Sequence, residues 1–367
     1  MARRRVTQAD LARYAGVSRS LVSRVLQGLD KVSEDKRQRV LAAVQELGYV
    51  DNGLATALAG NRRSRLVGFL PQELSNALFV EVYDSLRAEL RGHGFQLVIV
   101  EGSLDAEEED ARLRQLVSYS PDCVVVAGYA GSTNALTAAV HSIPIVSVTR
   151  RISEAGVRSV YSDDRTGAML ATRHLLELGH ARIAHLQLPP GIPYEERAAG
   201  YMTAMERAGL APWVITPEAQ TRGAAYEAVS ALVNGGEIPT ALFCGSDHMA
   251  LGVLDALRDH GVDVPGAVSV VGYDDQPLAR LAGLTTVDQG AAEQGRISGA
   301  FVRALLEAQD SSQGAGREGG EGDEDVLSQG SQRGLGLGGG AFRTTPVQQV
   351  LAPTLSVRST TAPPRRG

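Results

Sequence analysis

Thr7-Gln8-Ala9-Asp10-Leu11-Ala12-Arg13-Tyr14-Ala15-Gly16-Val17-Ser18-Arg19-Ser20-Leu21-Val22-Ser23-Arg24-Val25-Leu26 reads as two short helices broken at one glycine. In residues 7–14, apolar Leu11 and Ala12 sit among polar neighbours, and Gly16 then interrupts the pattern. Ser18 is placed to cap a second helix over 18–26, which gathers Leu21, Val22, Val25 and Leu26 on one face at helical spacing. Arg19, Ser20, Ser23 and Arg24 fall on the opposite side. This is the pattern of a helix-turn-helix, whose second helix is shaped to enter the major groove of DNA. After a turn at 27–30, Ser33 is expected to cap a third helix, with Glu34 and Asp35 favourably placed in its first turn. Val40, Leu41, Val44 and Leu47 form its expected inner stripe, and Gly48 ends it. Residues 1–50 are thus expected to form an all-α head around one small core.

Charge separates this head from the rest of the chain. Of the 36 Lys+Arg and 42 Asp+Glu, 13 and 6 lie in residues 1–65, a net of +7. The remainder carries −13. A basic head on an acidic body suits phosphate binding, because displaced counterions drive association with DNA. Residues 51–65 are short, alanine-rich and then basic at Arg62-Arg63-Ser64-Arg65, a linker in which a helix would be marginal alone.

From residue 66 the pattern alternates between strands and helices. Strand-like runs fall at 66–70, 96–100, 123–127 and 145–149, then at 183–188, 241–244 and 269–273. Helical stretches include 79–91, 166–178, 195–208, 249–260 and 293–306. The alternation predicts parallel sheets with helices on both faces. Two series predict two lobes spanning 66–367, with ligand bound in a cleft outside the carboxyl ends of the strands. Residues 309–345 are rich in Gly, Ser, Gln and Glu and read as a flexible insertion. Gly334, Gly336 and Gly339 match GxGxxG by letter, but no strand pattern precedes them and no helix pattern follows, so no dinucleotide site is expected. Strand character returns over 347–357.

No metal or cofactor is expected. Cys123 and Cys244 sit in apolar runs as small buried hydrophobes, and the seven His are scattered. No run approaches the ~18 apolar residues of a membrane span. Arg3-Arg4-Arg5 is not followed by the apolar core of a secretory signal, so a cytoplasmic location is expected.

The chain resembles the lactose-repressor (LacI/GalR) family of transcriptional regulators. The match is dense at Thr7–Ala12, Ala15-Gly16-Val17-Ser18 and Val22-Ser23-Arg24-Val25-Leu26. It continues at Glu46-Leu47-Gly48-Tyr49, Asn52 and Leu58-Ala59-Gly60. Further matches are Leu178-Gly179-His180-Ala181-Arg182-Ile183-Ala184, Ser246-Asp247-His248-Met249-Ala250-Leu251-Gly252 and Val270-Val271-Gly272-Tyr273-Asp274-Asp275. The resemblance implies a homodimer, a periplasmic-binding-protein-like core and a small effector in the cleft. It also implies a hinge helix within 51–65 that forms on DNA. Leu58 matches the leucine that wedges into the minor groove, where an apolar side chain can unstack a base step and kink the duplex. Asn52 and Ala55 match neighbouring hinge positions. Arg19 and Ser20 open the recognition helix towards base edges. Arg24, one turn on, has two readings, bidentate to guanine or clamping a phosphate. Thr7, Ser18, Ser23 and Gln27 suit phosphate contacts.

For the effector, the resemblance points to Arg197, Asp247 and Asp274, with Asn76, Phe79, Thr149 and Gln289 as further cleft positions. A facing carboxylate and guanidinium can hold vicinal hydroxyls through acceptors and donors. The competing reading is a set of interlobe ion pairs. Thr149, where relatives often carry Asp, and Ser246, where Asn is common, weaken inference to any one sugar. The expected function is an effector-controlled repressor binding a pseudo-palindromic operator as a homodimer, its effector a sugar or sugar derivative. A nucleobase-like effector, or none, is the alternative. A secreted solute-binding protein would not carry the N-terminal helices. An enzyme would need a Ser-His-Asp order, metal cluster or phosphate loop, none of which the residues supply.

Overall fold

The computed structural model describes residues 6–26, 32–49, 64–154, 156–187, 194–315 and 348–365. The chain divides into two units, Met1–Ser64 and Arg65–Gly367.

In the first unit, helix α1 (Gln8–Ala15) starts at a capping box. Asp10 N–H donates to Thr7 Oγ1 at 3.3 Å, and Thr7 N–H donates back to Asp10 Oδ2 at 3.0 Å. The Thr7 N–H is thereby satisfied, and the Asp10 N–H, which also donates to the Thr7 carbonyl at 3.0 Å, gains a second acceptor. Gly16 ends α1 at φ +62°, a left-handed turn that costs glycine nothing sterically. Helix α2 (Arg19–Leu26) follows, and the Leu21 N–H donates to Ser18 Oγ at 3.3 Å. Helix α3 (Glu34–Glu46) has Ser33 at its N-cap position, but the hydroxyl makes no capping bond, so that expectation fails in detail. Leu11, Val22, Val25, Val40 and Ala43 build the core. Leu41, expected inside, is 41 % exposed. It lies about 100° around the helix from Val40, while Ala43 and Val44 continue the inner stripe.

The second unit contains two six-stranded sheets. In chain order its elements are β1 (Leu66–Pro71), α4 (Ala77–Leu90), β2 (Gln96–Ile99), α5 (Ala106–Ser118), β3 (Cys123–Ala127), α6 (Thr133–Val140), β4 (Ile145–Val148) and β5 (Val157–Ser162). Next come α7 (Asp164–Glu177), β6 (Ile183–Leu186), α8 (Tyr194–Arg207), β7 (Trp213–Ile215), α9 (Arg222–Asn234), β8 (Ala241–Cys244) and α10 (Asp247–Asp259). The last are β9 (Ser269–Tyr273), α11 (Pro277–Leu281), β10 (Thr285–Asp288), α12 (Ala291–Ala315), β11 (Gln348–Leu351) and β12 (Thr354–Ser356). Strand order is β11-β5-β4-β3-β1-β2 in one lobe and β12-β10-β9-β8-β6-β7 in the other. Among the described residues every pairing is parallel except β10 with β12.

The seven expected strands form, though those predicted to end at 100, 149 and 188 stop at Ile99, Val148 and Leu186, and that predicted to end at 70 runs on to Pro71. Three more appear: β5, β7 and β10. The periodic pattern missed them because β5 (VRSVYS) and β10 (TTVD) are largely polar and β7 has three residues. The 347–357 run is split at Ala352-Pro353, and its halves join different sheets. Helix α12, expected to end at 306, continues to Ala315 and so enters the segment read as an insertion. Once Val302, Leu305 and Leu306 anchor its earlier turns in the lobe core, extending a formed helix is easy. Residues 316–347 lie outside the described ones.

Among the described residues the chain crosses between lobes three times, at β5–α7, β10–α12 and β11–β12. Two of the crossings are bonded directly: Asp163 N–H donates to the Leu351 carbonyl at 3.0 Å. Three adjacent short segments make a hinge, and the cleft opens beside it at the carboxyl ends of the strands. That placement follows the general rule for open α/β sheets.

Candidate functional site

Lobe one contributes Gln72, Glu73, Ser75 and Asn76 from the loop after β1, with Phe79, Gly128 and Thr149. Lobe two contributes Tyr194, Arg197, Gln220, Thr221, Ser246, His248, Asp274 and Gln276, and the second crossing contributes Gln289. Together they enclose about 180 Å³, below the ~300–1,000 Å³ of pockets for drug-sized molecules. A small polar molecule fits that volume and that lining.

Arg197, in the first turn of α8, is 4 % exposed and organises the floor. Its Nε donates to Asp164 Oδ1 at 2.8 Å, and its Nη1 donates to the Gly245 carbonyl at 2.6 Å. Nη1 also lies 3.5 Å from Asp274 Oδ1. The guanidinium sits over the Tyr273 ring at 3.8 Å from its centroid, a cation–π contact in a desolvated setting. Burial opposes its charge, but the Asp164 and Asp274 carboxylates outweigh that and hold it firmly protonated. Burial conversely raises Asp164 against the pull of Arg197. Asp274 is pushed up to about 6 by burial, with Arg197 again pulling the other way.

Asp274 follows β9 on a strained loop, with φ +116° at Asp274 and +53° at Asp275. Its Oδ1 accepts from Gln289 Nε2 at 2.7 Å and its Oδ2 from Gln276 Nε2 at 3.3 Å. The loop is held from behind. Asp247 Oδ2 accepts the Gln276 N–H at 2.8 Å, Asp247 Oδ1 accepts from Thr286 Oγ1 at 2.5 Å, and Arg358 Nη2 donates to Asp275 Oδ1 at 2.6 Å.

Six of the seven effector positions expected from sequence therefore line one cavity: Asn76, Phe79, Thr149, Arg197, Asp274 and Gln289. Asp247 does not; its carboxylate is turned into the protein, where it braces the Asp274 loop. The ion pairs of Arg197 with Asp164 and Asp274 lie within lobe two, so the interlobe ion-pair reading does not describe them. Asp164, Tyr194, Gln276 and the 72–75 loop were missed. The strand-end rule was the available signal, since 72–76 follows β1, 246–248 follows β8 and 274–276 follows β9.

In the first unit, Arg19, Ser20 and Arg24 are exposed and Ser23 half-buried along one side of α2. Neither arginine pairs with a carboxylate among the described residues. Thr7 and Ser18 are exposed at the helix starts, where N–H groups and helix dipoles favour a phosphate. Ser18 Oγ lies 3.0 Å from Ser20 Oγ. Gln27, Asn52, Ala55 and Leu58 lie outside the described residues. No helix among the described residues is long and apolar enough to cross a membrane.

Residues 7–52 match the model of the bacterial regulatory proteins of the lacI family. Residues 64–302 match periplasmic binding proteins and the sugar-binding domain of the LacI family. The chain is 33 % identical over 300 residues to the transcriptional regulator GalS of Salmonella typhimurium, covering 80 % of this chain and 88 % of GalS. Among solved structures it resembles the lac repressor dimer bound to operator and the anti-inducer ONPF. That match has 25 % identity and a TM-score of 0.75, covering 98 % of this chain and all of that one. It also resembles the complex of the regulator CelR with cellobiose, at 28 % identity and a TM-score of 0.64, covering 97 % of this chain and all of CelR. With a helix-turn-helix head followed by this two-lobed binding core, the chain belongs to the LacI family of DNA-binding transcriptional regulators.

Proposed function

We propose that this protein is a repressor that binds a pseudo-palindromic operator as a homodimer and is controlled by a carbohydrate in its cleft. The cluster of Arg197, Asp274 and the amides of Asn76, Gln276 and Gln289 carries the effector assignment. It offers charged acceptors and donors within one small cavity, the complement of a polyhydroxylated molecule. The relatives support it, since CelR is complexed with cellobiose and the lac repressor binds an operator as a dimer. On α11, Leu278 and Leu281 are 57 % and 84 % exposed, apolar surface suited to burial against a second copy. Arg19, Ser20 and Arg24 are assigned to the DNA, and so are Thr7, Ser18 and Ser23. The cleft residues are assigned to binding rather than turnover, in a protein acting on cytoplasmic DNA.

The test is calorimetry with glucose, galactose, ribose, maltose and cellobiose, followed by operator binding. At least one sugar should bind and change operator affinity. Asp274→Asn keeps size but removes the charged acceptor, and a lost bond to a charged group is worth about 1.5–3 kcal/mol, tenfold or more in affinity. Operator affinity without sugar should survive in that variant. Undiminished sugar binding by Asp274→Asn would refute the ligand-gripping role.

A further inference from the structure

Asn76 belongs to lobe one and Gln276 to lobe two, yet their side chains bond directly. Gln276 Nε2 donates to Asn76 Oδ1 at 2.9 Å, and both side chains line the cleft. Neither end is free to drift. Asn76 caps α4, with its Oδ1 accepting the Leu78 N–H at 3.0 Å. Gln276 is 7 % exposed, and Asp247, itself held by Thr286, accepts its backbone N–H. The glutamine amide has two N–H donors. One reaches Asn76, while the other lies 3.3 Å from Asp274 Oδ2, at the long limit for such a bond.

Resting on the effector-cleft reading above, we infer that Gln276 latches the two lobes and couples their closure to occupancy of Asp274. A sugar hydroxyl donating to a carboxylate makes a shorter, stronger bond than the existing amide contact. It displaces that contact and leaves the second Gln276 N–H to donate to the sugar oxygen. The amide then bridges sugar and Asn76, so the bound molecule is tied through one side chain to the helix cap of the opposite lobe. The latch also biases the lobes without sugar, because its bond exists only while they are close. A net hydrogen bond alters such an equilibrium about two- to tenfold.

Interlobe distances test this on the full chain without sugar. Both native cysteines are buried, so spin labels can be placed at exposed Glu107→Cys on α5 and Glu227→Cys on α9. Gln276→Ala, and Asn76→Ser, which retains a helix-capping hydroxyl but is too short to hold the latch, should each shift the distribution towards longer distances. The double variant should shift it no further than either single one, as expected when both remove one bond. Asn76→Asp, which keeps cap and acceptor, should keep the wild-type distance distribution without sugar. Each latch-breaking variant should also change affinity about two- to tenfold for a duplex selected from a random pool with the wild-type protein. Unchanged distances, or additive shifts in the double variant, overturn the latch. The cleft reading fails separately, in the sugar calorimetry of Asp274→Asn.

Discussion

At the scale of single residues, Arg197 and Asp274 set the chemistry, and their burial makes both consequential. Arg197 neutralises two buried carboxylates, so Arg197→Leu should destabilise the core by about 3–5 kcal/mol in urea unfolding, the usual result of orphaning buried charge. Asp274, pushed up to about 6 by burial, holds its proton more tightly when folded than the ~3.9 of an unfolded aspartate. Its contribution to stability is therefore present in full below pH 4 and is lost as pH rises through 6. Sugar binding runs the opposite way, because the ionised form accepts hydroxyl hydrogens. Affinity should be flat above pH 7 and fall below 6, while Asp274→Asn should lack that titration; calorimetry from pH 5 to 8 checks both.

At the scale of elements, α7 and α8 are brought close enough for Asp164 and Arg197 to meet by Gly200, one turn beyond Arg197. A Cβ there would lie 2.3 Å from the Arg165 carbonyl oxygen and 2.8 Å from Ala168 Cβ. Gly200→Ala should force the helices apart, costing about 1–3 kcal/mol of stability as overpacking does. It should also weaken sugar binding, although no atom of residue 200 lines the cleft; thermal unfolding and calorimetry read the two effects. On α2, Arg24→Ala should cost about 1–3 kcal/mol of operator affinity and relax preference at one base pair, if its guanidinium reads guanine. A uniform loss on all sequences would assign it to phosphate.

At the scale of the whole molecule, a head of +7 on a body of −13 should make DNA affinity fall steeply with salt, through counterion release, in a salt titration of operator binding. Full palindromes should bind more tightly than half-sites, since a dimer engages both halves together. Leu281→Arg should shift sedimentation towards monomer and reduce palindrome affinity to that of a half-site, placing a charge where 84 % of a leucine is exposed.

Local chemistry was enough to determine the first two helices of the head and the turn between them. The break at Gly16, the Ser18 cap and the Leu11/Val22/Val25 stripe involve neighbours within a few turns, so they are legible in order along the chain, whereas the Thr7–Asp10 capping box, the uncapped Ser33 and the exposed Leu41 emerged only in the structure. The alternation of strands and helices likewise revealed two parallel sheets, because apolar runs such as 123–127 mark fully buried strands. Family motifs pointed to Arg197 and Asp274. Contacts across long separations remained for the tertiary structure to decide. Asp247 stands in the same motif class as Asp274, yet only the packing of Thr286 and the 274–276 loop turns its carboxylate inward. Polar β5 and β10 become strands because neighbouring strands offer them ladders, and the strand-like 347–357 stretch is split at Ala352-Pro353 between two sheets. Gln276 meets Asn76 across 200 residues, a pairing that no periodicity along the chain encodes.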